Sequence, residues 1–106
     1  MPGNHSDVMD LVCRHLSAQE VENCRIYYDT AVKETGDSVS LGLREEKMPF
    51  RGIRVFIDLM PNANWGHRAA YLLASEDFKQ SVWRESQFPP FNGDPPAGWV
   101  LLTRAG

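Results

Sequence analysis

Apolar and polar residues alternate most cleanly over 53–60, where Ile53, Val55, Ile57 and Leu59 take one parity and Arg54, Phe56, Asp58 and Met60 the other. Successive strand side chains point to opposite faces, so this period predicts a β-strand buried chiefly on one side. Upstream the period is helical. Val8, Leu11, Val12 and Leu16 recur at helical spacing behind Ser6, a favourable N-cap, with Asp7 and Asp10 near the positive end of the helix dipole. Ser17 with Glu20 three residues later then forms a capping box, and Leu16 and Val21 are placed to act as a hydrophobic staple, so a second helix is predicted to start there.

Two segments admit two readings each. Over 24–33, Val21, Cys24, Tyr28, Ala31 and Val32 make a helical stripe, which Gly36 would terminate, while Ile26, Tyr28, Thr30 and Val32 alternate as a strand. The strand reading turns through "KETGDS" into a hairpin with residues 39–43. Over 68–75 the Ala and Leu content suits a helix, whereas a hairpin with 53–60 suits the apolar alternation. That hairpin would pair Asp58 with Ala70 and Met60 with Arg68, bringing Ala69, Tyr71 and Leu73 onto the face of Ile53, Val55 and Ile57. Beyond it, Ser75 as cap, Glu76 and Asp77 in a first turn, and Phe78 and Val82 one turn apart predict a helix over 76–86. "GWVLLTR" predicts a short last strand. The fold class is therefore α+β: an N-terminal helix or helix pair packed on an antiparallel sheet of three to five strands, with a short helix before the last strand.

Length and composition fit this picture. At 106 residues, 42% hydrophobic and 24% charged, the chain has the content of one compact domain spanning 1–106 and is far from the signature of disorder. "FPPFNGDPPAG" reads as a loop rather than a domain boundary, because too little chain follows it to fold independently.

Charge and run length then exclude partners. Net charge is -3 and the pI about 5.5, with Lys and Arg scattered, so the basic footprint that duplex nucleic acid requires is missing. The longest apolar run, "AAYLLA", has six residues, against about 20 for a membrane span. No secretory signal is readable at "MPGNHSD", and two cysteines do not make a disulfide framework, so a cytoplasmic, reducing setting with free thiols is expected. "REEK", Arg44 to Lys47, reads as a solvated turn or strand end.

Candidate chemistry is sparse. Cys13 and His15 lie two apart on a predicted helix and so point to different sides, and no CxxC, HxH or HExxH spacing occurs, so buried thiols and no metal are expected. The glycines form neither GxGxxG nor GxxxxGK[ST], no GxSxG elbow is present, and no cofactor is expected.

What stands out is "PNANWGH", Pro61 to His67, at the end of the best strand. Asn62, Asn64, Trp65, His67 and Arg68 are the candidate binding residues, and His67 and Asp58 the candidate catalytic ones. Asp58 and Arg68 are also diagonal neighbours in the expected hairpin, where an ion pair on a solvated face is worth about 1 kcal/mol or less and carries no function. Trp65 either caps a core or awaits a partner, since Trp is enriched among interface hot spots.

Residues 50–61, "FRGIRVFIDLMP", resemble the aromatic, glycine, alternating strand and proline of ubiquitin-conjugating-enzyme-like domains. The HPN motif of that family and a cysteine after the meander are missing, so the resemblance implies no conjugating activity. Two functions are expected from these residues. The first is a small protein-interaction module acting through the 61–68 loop and nearby aromatics, with another protein as partner. The second is a small hydrolase or transferase in which His67 serves as general acid or base and Arg68 holds an anionic group.

Overall fold

The computed structural model describes residues 5–60, 68–90 and 97–102. Two short helices open the chain, α1 over His5–Cys13 and α2 over Ala18–Asn23. The expected capping box starts α2: the Ser17 N–H donates to Glu20 Oε1 at 2.9 Å, and the Glu20 N–H donates to Ser17 Oγ at 3.1 Å. Two otherwise orphaned backbone donors are thereby satisfied, worth about 1 kcal/mol for such a cap.

Five strands, β1 (Arg25–Asp29), β4 (Gly52–Asp58), β5 (Ala69–Ser75), β6 (Ser81–Ser86) and β7 (Trp99–Leu102), form a sheet in the order β6-β5-β4-β1-β7. All its pairs are antiparallel. Between β1 and β4 the chain leaves this sheet to make a separate hairpin of β2 (Ser38–Leu41) and β3 (Arg44–Lys47). The class is thus α+β on an antiparallel sheet.

Layering explains the burial. On one sheet face Val8, Leu11 and Val12 of α1 pack with Ile26, Ile53, Val55, Ile57, Ala70, Leu72 and Ala74. On the other, Val39 and Leu41 of the hairpin and Met48 after it cover Tyr27, Phe56, Ala69, Tyr71 and Leu73. Consequently β5 is buried at every position and β4 on both faces, not chiefly on one as the alternation suggested.

That second cover changes the hairpin register. Asp58 pairs with Ala69 and Ile57 with Ala70, one residue away from the expected pairing. A slip of one residue exchanges the faces of a strand, so Ala70, Leu72 and Ala74, not Ala69, Tyr71 and Leu73, share a face with Ile53, Val55 and Ile57. The small alanines thus lie in the core under α1, whereas Tyr71 lies beside Phe56 with ring centroids 5.2 Å apart, its hydroxyl donating to the Phe88 carbonyl at 2.8 Å.

Residues 25–29 are strand, but β1 pairs with β4 and β7, not with the segment after "KETGDS". Instead the Gly36 N–H donates to the Met48 carbonyl at 2.8 Å and the Met48 N–H to the Asp37 carbonyl at 2.8 Å, so that turn opens the β2–β3 hairpin. "REEK" is β3 itself, mostly exposed.

The expected helix over 76–86 does not form. Phe78 sits at φ 62°, a left-handed conformation incompatible with a continuing helix, and Ser75 makes a turn rather than a cap. Its hydroxyl donates to Asp77 Oδ1 at 2.7 Å and accepts from the Gln80 N–H at 2.9 Å. The chain then returns as β6, which sends Val82 to the hairpin side and Trp83 to the helix side.

Candidate binding site

The end of the sheet from which residues 61–67 depart is built by three elements. β4 finishes at Asp58, Arg68 leads into β5, and Gln19, Glu20 and Asn23 of α2 line a cleft beside them. Together Ser17, Gln19, Glu20, Asn23, Leu59 and Arg68 line a cleft of about 220 Å³. Leu59 packs on the helix-side core and so gives the cleft an apolar wall, and the Asn23 side-chain amide donates to the Gln19 carbonyl at 3.0 Å.

Among the described residues the cleft's charges are one cation and one anion. Arg68 Nη1 stands 3.8 Å from Glu20 Oε2, with the two side chains 57% and 39% exposed. The N–H that Ser17 donates to its carboxylate, with a smaller contribution from Arg68, holds Glu20 below the usual carboxylate range. It is therefore ionised at neutral pH.

The sequence places Asp58 next to Arg68, but the ion pair of Arg68 is with Glu20. The register explains this: Arg68 has the parity of Ala70 and Leu72, which face the helices, whereas Asp58 has the parity of Phe56, which faces the hairpin. Asp58 accepts from the Met60 N–H at 3.1 Å, and Met60 is 48% exposed. Asn62, Asn64, Trp65 and His67 lie outside the described residues.

A second polar cluster escaped the sequence reading. Asp29, at the end of β1 and 6% exposed, holds Arg54 Nη2 at 3.1 Å and Lys33 Nζ at 3.5 Å, and its other oxygen accepts from the Ala31 N–H at 3.0 Å. Arg54 also donates to the Ser40 carbonyl at 2.6 Å, and its guanidinium carbon lies 4.7 Å from the Trp99 ring centroid. This cluster ties the sheet to the hairpin. Its only signal in the sequence is the pair Asp29 and Lys33, four apart, which carries no sheet information.

The thiols differ from each other. Cys13 is exposed, contrary to the expectation of buried thiols, while half-buried Cys24 is pushed up to about 11, chiefly by desolvation. His15, exposed in the turn after α1, stacks on Trp83 with centroids 4.5 Å apart. Among the described residues no three His, Cys, Asp or Glu side chains are grouped to hold a metal ion, and no helix is long and apolar enough to cross a membrane.

No protein-family model, curated protein or solved structure matches this chain.

Proposed function

We propose that the protein is a small binding module that engages another protein through the 61–68 loop and the cleft beside it. The observation that carries this reading is the cleft itself, where an accessible arginine, two amide side chains and an apolar wall converge at the base of that loop. Arg and Met are enriched at protein interfaces, and Arg68 and exposed Met60 flank the loop on either side. The expected loop residues Asn62, Asn64, Trp65 and His67 complete the proposed surface, and the proposed setting is the cytoplasm.

Affinity capture with the full chain, compared with Trp65→Ala and Arg68→Glu, tests the proposal. Proteins retained by the wild type should be lost with both variants while thermal stability stays unchanged. Retention of the same proteins by both variants would overturn it.

A further inference from the structure

We infer that the cleft takes a single carboxylate side chain of the partner, an aspartate or glutamate, on Arg68; this rests on the cleft being a binding surface. A guanidinium presents five N–H donors in a planar fork that matches a carboxylate through two parallel hydrogen bonds. Among the described residues that fork is mostly unused in Arg68. Its contact with Glu20, Nη1 to Oε2, is 3.8 Å, too long for a hydrogen bond, whereas Arg54 reaches Asp29 at 3.1 Å in the interior. Among the described residues nothing bonds Arg68 Nε or Nη2.

Glu20 does not close the fork in this structure. Its Oε1 accepts the Ser17 N–H in the capping box, and its Oε2 faces Arg68 at 3.8 Å from one side. A ligand oxygen pair therefore meets an arginine that Glu20 orients and that no described residue satisfies. Gln19 and Asn23 flank it with amide groups, and Leu59 offers an apolar wall for the methylene carbons of the entering side chain.

Charge decides between anions. Arg68 and Glu20 sum to zero among the described residues of the cleft, so a second negative charge on a ligand gains about as much repulsion from Glu20 as attraction to Arg68, and a dianionic phosphate has no advantage there over a monoanion. The net charge of -3 likewise disfavours a strongly acidic partner segment and favours one isolated acidic residue.

Titrating the isotope-labelled full chain with acetyl-Gly-Asp-Gly-amide, and separately with acetyl-Gly-Asn-Gly-amide, tests this by NMR. The Arg68 Nε–H signal and the Gln19 and Asn23 side-chain amides should shift saturably with the aspartyl peptide, with an affinity about tenfold or more above that for the asparaginyl peptide. Arg68→Gln should abolish the shifts while leaving the remaining spectrum in place. Equal response to both peptides, no response, or saturable shifts surviving in Arg68→Gln would overturn the carboxylate assignment. Capture that depends on Arg68 and Trp65 with no peptide response would sink this inference and leave the binding reading standing; a specific aspartyl response with unchanged capture would do the reverse.

Discussion

At the residue scale, burial separates ion pairs that hold the fold from those that decorate it. The Asp29 side chain is 8% exposed and Arg54 12%, whereas Arg51 and Glu34 are 47% and 65% exposed at 3.5 Å. Removing one partner of a buried pair leaves an uncompensated charge, so Asp29→Ala should cost about 3 kcal/mol in urea unfolding, because Arg54 and Lys33 lose their anion together. Glu34→Ala should change stability by less than about 0.5 kcal/mol, since exposed pairs are screened. Comparable losses for the two variants would contradict the assignment of Asp29 as the hub. Among the described residues buried Arg54 Nε has no hydrogen-bond partner, so the guanidinium relies all the more on Asp29 and on the Trp99 ring.

At the scale of elements, the β4–β5 ladder tolerates little insertion. A methyl group at Gly52, which pairs with Ser75, would overlap the Ala74 carbonyl oxygen. Backbone atoms there cannot give way as a flexible side chain would, and Gly52→Ala should destabilise by about 3 kcal/mol, at the upper end for overpacking, as read by thermal or denaturant unfolding. A neutral outcome would mean that the two strands pair differently.

The same ladder shows how much of the fold was legible in the sequence. The capping box at Ser17 and Glu20, the helical spacing of Val8, Leu11 and Val12, and the alternation over 53–58 all act over a few residues, and each marked a real element. Failures came where distant chain decides the matter. The expected register suits a sheet with one buried face, but Val39, Leu41 and Met48 bury the other, and a strand apolar on both sides fits either register by hydrophobicity alone. Phe78 and Val82 lie one helical turn apart by coincidence, because the left-handed Phe78 backbone and the Ser75 turn convert that spacing into a strand. Of the candidate site, the polar character of Arg68 was legible, and its partner Glu20 was not, since that pairing follows from the register.

For the whole molecule, one half-buried acid sets an alkaline limit. Desolvation pushes Cys24 up to about 11 from an ordinary 9.0, so the folded chain retains a proton that the unfolded chain releases. The stabilisation is complete below pH 9 and is lost as pH rises through 11. Tyr71, raised by burial, acts in the same direction at higher pH. Thermal midpoints should therefore fall over this window, and Cys24→Ala, although less stable at neutral pH, should show a shallower decline. Parallel declines in the two proteins would show that Cys24 does not contribute.

The hairpin between β1 and β4 has a topological consequence. Lys33 and Gly52 exchange backbone hydrogen bonds, N–H to carbonyl, at 2.7 and 2.9 Å, latching the two ends of residues 34–51 together at their base. Strands β1 and β4 are neighbours in the main sheet without it. The excursion is thus a cassette rather than a link. A chain in which a tight turn replaced it would keep every ladder of the five-stranded sheet and expose Tyr27, Phe56 and Tyr71 to water. Val39, Leu41 and Met48 of the excursion cover one face of the sheet, and a sheet deprived of them would have an aromatic face seeking another cover.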